Sequence, residues 1–173
     1  MTEDALRCPW ILGGVTFQEG AIAEIDADAR RGLAEGEECC GIVSGPEAHP
    51  LLANRVTRFE NRANKLHALD PETFPRTGRE YFDINPLAFA RAIDRGALAG
   101  EPVKVLYHSH IDCGAYFSET DAAAATGNSE TPIHLLAYLV VSIREGGVID
   151  DRRLFVWSEE GRQFVESEFS VVP

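Results

Sequence analysis

The spacing of apolar positions divides the chain into segments of helical and extended period. Ile22, Ile25, Ala29 and Leu33 recur at helical intervals, and Thr16 followed three positions later by Glu19 has the form of a capping box. The pattern therefore predicts a helix over 16–34. Two short apolar runs follow, Cys40 to Val43 and Leu51 to Phe59, separated by Gly45-Pro46 and rich in β-branched residues; they predict neighbouring strands. Residues 62–80 hold two prolines, several charges and no regular period, which predicts an exposed loop longer than a simple connection requires. Loops of that kind often border binding sites.

A short strand is expected at Tyr81-Phe82. Asn85-Pro86 then sets a favoured cap before a favoured first helical residue, with Phe89, Ile93 and Ala97 on one apolar face. Val103 to His110 reads as a buried strand, Ser118 to Thr126 as a helix ended by Gly127-Asn128, and Leu135 to Ile143 as a second buried strand. Residues 152–157 and 163–172, split by Glu159-Glu160-Gly161, predict a closing hairpin. No repeat, low-complexity tract or linker interrupts the 173 residues, so one domain spanning 1–173 is expected.

Charge narrows the function classes. Sixteen Lys and Arg against 28 Asp and Glu give a formal net charge of −12, which disfavours a nucleic-acid backbone or an anionic membrane as the main partner. No apolar run is long enough to span a membrane, and the acidic start, Met1-Thr2-Glu3-Asp4, is unlike a signal peptide. Cys8, Cys39, Cys40 and Cys113 show no C-x-x-C spacing, and the adjacent pair suits an ordinary disulfide poorly, so they read as reduced thiols. A cytoplasmic protein is expected.

Strand residues two apart share a face, so His108 and His110 point together. Beyond them, Asp121 falls in the first turn of the helix that begins at Ser118, where its carboxylate can face the strand end. Two imidazoles and one carboxylate suit zinc and leave a fourth tetrahedral position open, the arrangement of a catalytic site. Ser118 to Asp121 also reads as a helix cap, which would aim the aspartate. Hydrolysis needs a proton acceptor, and Glu38, at the start of the first strand, is the candidate. The other reading of Glu37-Glu38 is a solvated acidic pair.

With these residues the sequence resembles the JAMM/MPN+ metalloprotease family, whose pattern is a glutamate before a first core strand and, later, His-x-His-x7-Ser-x-x-Asp. The resemblance runs from about residue 16 to the C-terminus. It implies that His108, His110 and Asp121 bind one Zn2+, that Glu38 is the general base and that Ser118 helps hold the oxyanion. It also implies an α/β MPN fold related to cytidine deaminase, with a curved mixed sheet flanked by helices. Ile111 replaces a proline frequent after the second histidine, and Cys113 lies in the following loop as either a packed residue or a soft ligand. His49, His67 and His134 are expected to be structural or exposed.

Relatives of this kind act on ubiquitin-like proteins, and compact bacterial forms trim the tails of sulfur-carrier proteins. The resemblance thus implies hydrolysis after a Gly-Gly tail; the loop 62–80 is the candidate for one wall of a channel for that tail, and Asn61 is either a polar contact there or a turn former. A general isopeptidase and a non-catalytic MPN scaffold are the alternatives. A DNA-repair-associated bacterial group shares the histidine, serine and aspartate spacing, but the acidic charge and the lack of a helical DNA-binding segment count against it.

Overall fold

The computed structural model describes residues 3–173; the expectation of an acidic start lies partly outside them, at Met1 and Thr2. A short helix α1 (Glu3–Arg7) and a 3-10 turn (Pro9–Leu12) lead into strand β1 (Thr16–Gln18) and the long helix α2 (Glu19–Glu35). Here the sequence pattern placed the helix start too early. Thr16 lies in β1, and the N-cap of α2 is Gln18, which makes no side-chain cap bond. Thr16 pairs instead with Leu52 and Ser170 across a small sheet, so tertiary pairing outweighs the local capping signal. Gly36, left-handed at φ 73°, closes the helix.

Strand β2 (Cys40–Ser44) follows, then β3 (Leu52–Ala53) and β4 (Arg55–Phe59). The expected strand at Leu51 to Phe59 is thus split: β4 pairs antiparallel with β2, whereas β3 pairs parallel with β1. Within 62–80 a helix, α3 (Ala63–Leu69), replaces part of the expected loop. Tyr81-Phe82 is irregular rather than a strand, because the Tyr81 carbonyl is taken by the Asn61 side chain. Helix α4 (Pro86–Leu98) begins as expected, with the Asn85 side chain accepting from the N–H groups of Leu87 and Ala88.

Strand β5 (Val103–Ile111), helix α5 (Glu119–Thr126) and strand β6 (Ala137–Arg144) form a parallel β-α-β unit, followed by β7 (Val148–Ser158) and β8 (Gln163–Ser167). The expected hairpin is β7 with β8. Its last residues leave it as β9 (Ser170–Val172), which crosses to pair with β1. The main sheet has six strands in the order β4-β2-β5-β6-β7-β8, and a second sheet has the order β3-β1-β9. The architecture is a mixed α/β fold with helices on a mixed sheet, as the sequence implied.

Central strands β2, β5 and β6 are buried on both faces, which explains their near-continuous apolar runs. One face carries a core of Phe17, Ile25, Val105, Tyr107, Leu139 and Leu154. The other buries Ile42, Phe89, Val140 and Phe155. Gly41 permits the close approach of β2 and β5, since a Cβ there would lie 2.5 Å from the Tyr107 hydroxyl and 2.6 Å from the Thr57 carbonyl oxygen.

The first core also holds a buried acid. The Tyr107 hydroxyl donates to Asp28 at 2.8 Å, and the Arg31 guanidinium donates to its other oxygen at 2.9 Å, tying α2 to β5. Fully buried Lys104 donates to the carbonyls of Pro46, His49 and Leu52, which supplies the partners a buried ammonium requires. No helix among the described residues is long and apolar enough to cross a membrane.

Candidate metal centre

His108 and His110 occupy the C-terminal end of β5, beside the parallel neighbour β6. Such an end is where open α/β sheets leave a crevice for ligands. Both side chains project from the face opposite Tyr107, because alternate strand positions change sides. Their Nε2 atoms lie 3.1 Å apart. The Asp121 carboxylate completes a triangle, with Oδ1 at 3.3 Å from His108 Nε2 and Oδ2 at 3.4 Å from His110 Nε2.

The donor set fits a cation by chemistry and by spacing. Four ligands at zinc's usual nitrogen and oxygen distances stand about 3.3 Å from one another at the corners of a tetrahedron. The two imidazole nitrogens have nearly that separation, and each has one oxygen of the Asp121 carboxylate at that distance, so the three side chains converge on a space of the size a cation needs. His110 Nδ1 lies 2.9 Å from the Gly114 carbonyl oxygen, and a ring proton donated there leaves Nε2 with its lone pair directed at the other two donors. Gly114, at φ 93°, supplies that carbonyl from a left-handed turn. Nδ1 of His108 is buried without a partner, and Phe82 stacks on that ring with centroids 4.6 Å apart.

Asp121 is aimed by its own helix start. Ser118 accepts from the Asp121 N–H at 3.1 Å, while its N–H and hydroxyl donate to Asp121 Oδ2 at 2.8 and 2.6 Å. This reciprocal box uses the Ser118 hydroxyl to orient a ligand, and the cap reading of Ser118-Asp121 is the one observed. Burial tends to raise the Asp121 carboxyl's pKa, but the two imidazoles and Ser118 outweigh it and hold the group well below the carboxylate range.

Glu38 stands two residues before the start of β2, whose Cys40 is paired with His108. Extending that register by two residues sets Glu38 opposite His110, on the face of the metal-ligand candidates. It is only 4 % exposed, so the surface-pair reading does not hold for it. Burial, with the Asp121 and Glu80 charges, raises its carboxyl from 4.5 to about 9 against the opposing pull of Arg76. Its backbone is gripped on both sides: its N–H donates to the Gly78 carbonyl at 2.6 Å, and its carbonyl accepts from Asn61 Nδ2 at 3.0 Å.

Asn61 is buried and acts both as a turn former, through its bond to the N–H two positions on, and as a brace for distant backbone. Its Nδ2 also donates to the Tyr81 carbonyl at 2.9 Å, and its Oδ1 accepts from the N–H groups of Ala63 and Asp83, each at 3.0 Å. One buried side chain therefore holds Glu38, α3 and the segment bearing Phe82. Cys113 is exposed and outside the converging donors, which comprise His108, His110 and Asp121 among the described residues. His134 packs edge-on against Phe89, and His67 Nδ1 lies 2.7 Å from the Phe74 carbonyl oxygen. Ile111 extends β5 one residue beyond His110 and enters the core.

Sequence reasoning missed the stacking of Phe82 on His108 and the bond to the Gly114 carbonyl. An aromatic or glycine near a motif is too common a signal to single out without coordinates.

Residues 18–156 match the family described as prokaryotic homologues of the JAB domain. No curated protein matches the chain. Among solved structures, a protein from Desulfitobacterium hafniense is similar with a TM-score of 0.66 at 21% identity, over 91% of this chain and 92% of that one. A protein from Salinibacter ruber is similar with a TM-score of 0.58 at 20% identity, over 91% and 92% of the two chains. A JAB1/MPN domain protein from Archaeoglobus fulgidus has a TM-score of 0.51 at 14% identity, over 92% of this chain and all of that one.

Proposed function

The chain belongs to the family of prokaryotic JAB-domain homologues, and from that premise we propose that it is a zinc-dependent metallopeptidase. Its substrate on this reading is an amide after the Gly-Gly tail of a ubiquitin-like or sulfur-carrier protein. The observation that carries the reading is the convergence of three metal-ligand side chains near a buried glutamate that feels the Asp121 charge. The family also includes non-catalytic members, in which no such proton acceptor is required.

His108, His110 and Asp121 would hold the metal, and zinc supplies there a Lewis acid that polarises a carbonyl and lowers the pKa of water to about 7. The remaining work belongs to the chain. Glu38 accepts the proton released by the attacking water and returns it to the leaving nitrogen. A cation held by Asp121 would relieve that carboxylate's share of what keeps Glu38 protonated, the larger share being burial. Ser118 locks the Asp121 carboxylate, and its hydroxyl helps hold the developing oxyanion when that bond is exchanged. Asn61 fixes the backbone from which Glu38 projects.

A groove of about 380 Å3 runs between residues 63–76 and α5, lined by Leu66, Phe74, Arg76 and Tyr81 on one side and by Thr120 and Ala123 on the other. It is the route proposed for the extended tail, because glycines pass where larger side chains would collide. On this reading α3 and the turn after it are the wall expected from 62–80. The test measures zinc by mass spectrometry and hydrolysis of carrier fusions extended beyond Gly-Gly. Glu38→Gln is expected to keep zinc and lose about 10²–10⁴-fold in rate, whereas His108→Ala loses zinc. Full activity in Glu38→Gln removes that residue from the base role; a zinc-free wild type favours a scaffold.

A further inference from the structure

Behind the candidate metal centre, where β5 faces α4 and α5, lies a second cavity of about 310 Å3. His108 and Asp121 form part of its wall, and Phe82, Leu106, Phe117 and Tyr138 supply apolar surface around them. It is separate from the groove of the proposed tail, although Tyr81 and Ala124 border both. An apolar cavity of about 150 Å3 suffices to bind benzene, so this one has room for a large side chain.

Its polar groups do not favour a charged occupant. Asp83 is already paired with Arg62 at 2.6 Å. His134 meets Phe89 edge-on, and burial pushes its pKa below the ordinary histidine value. Asp121, the other acid of the wall, is already engaged by His108, His110 and Ser118, so a charge entering here would lose its hydration without gaining a free counter-charge from either acid.

We infer that this cavity receives the residue released by cleavage and selects a large apolar side chain, aromatic or branched aliphatic. The inference rests on the peptidase reading above. On that reading the residue before the scissile bond is glycine, with no side chain to bury, so the leaving residue is what can fill an apolar space walled by the metal-ligand candidates. A lysine conjugate would instead bring a protein backbone against a wall with few hydrogen-bond partners, and backbone polar groups buried without partners are costly. The cavity thus favours a terminal α-peptide over an isopeptide.

The test uses the zinc-loaded full chain and carrier proteins ending in Gly-Gly-X, with X as Phe, Leu, Ala, Lys or Asp. Cleavage followed by intact mass is expected to favour Phe and Leu over Ala by roughly 10–200-fold in kcat/KM, with Lys and Asp below Ala. Ala125→Phe, which fills the cavity from α5, is expected to bring the Phe-to-Ala ratio towards one, with folding checked by thermal melting. Equal rates across the set, or preference for Lys or Asp, overturns the inference. Binding of Gly-Gly-Phe-amide and Gly-Gly-Ala-amide is read separately by NMR at Phe82, Phe117 and Tyr138. If nothing is cleaved the peptidase reading fails, and the cavity is then decided by binding: about tenfold tighter binding of the Phe peptide supports it, and equal binding overturns it.

Discussion

Two carboxyls a short distance apart in the fold are driven in opposite directions, Glu38 up to about 9 and Asp121 down. The cause is partner chemistry: Asp121 has two imidazoles and a serine, whereas Glu38 has burial and negative neighbours. Between pH 4.5 and about 9 the unfolded chain releases the Glu38 proton that the folded protein keeps, so this group's contribution to stability falls as pH rises through that window. Asp121 acts on the other side, contributing above the ordinary aspartate value and losing that contribution in acid. Metal-free Glu38→Gln is therefore expected to melt higher than metal-free wild type at pH 8.5 and alike at pH 4, by about 2–4 °C per kcal/mol of relieved cost. Identical melting curves at pH 8.5 would show that Glu38 is not held protonated. Ser118→Ala removes a cap and a ligand's orienting bond together. It is expected to cost about 1 kcal/mol in a denaturant melt and roughly 10–100-fold in zinc affinity by competition titration, with Ser118→Thr restoring most of both.

Elements with their own periodicity or punctuation were legible in the sequence. Asn85-Pro86 opens α4, Ser118 opens α5 and Gly127 closes it because each residue acts on backbone groups a few positions away. Elements defined by distant partners were not. β1 is too short to show a period and exists because Thr16 to Gln18 lie between β3 and β9. Tyr81-Phe82 has strand-like composition, yet Asn61 takes its carbonyl bond and leaves no ladder. That dependence makes Asn61→Ala a test of how elements are joined at the site. It would leave two N–H groups and two carbonyls, all buried or partly buried, without their partner, so a loss of about 2–4 kcal/mol in chemical denaturation is expected. Tyr107→Phe, which strips the Asp28 carboxylate of one donor between α2 and β5, should cost about 1–3 kcal/mol without altering zinc stoichiometry.

At the scale of the whole molecule, the candidate centre joins β5 to α5, with Glu38 arriving from the start of β2. A cation bound there favours the folded state alone. Zinc at about a hundred times its dissociation constant should add about 2.7 kcal/mol, raising the melting temperature by roughly 5–10 °C, and a chelator should reverse the gain. A zinc response unchanged in His108→Ala would place the ion elsewhere. The residue types, the His-x-His spacing and the helix start that carries Asp121 could be read from the chain alone, since strand alternation and capping act over a few residues. The chain also offered Glu38 as a candidate, from its place before the first strand and then from resemblance, without revealing the burial that sets its proton affinity. The convergence of the three donor side chains, the grip of Asn61 on the segment before β2 and the apolar cavity behind His108 came from the fold alone. Those properties depend on how residues far apart in the chain are packed, and the local preferences of a sequence do not encode the distances between its non-neighbouring parts.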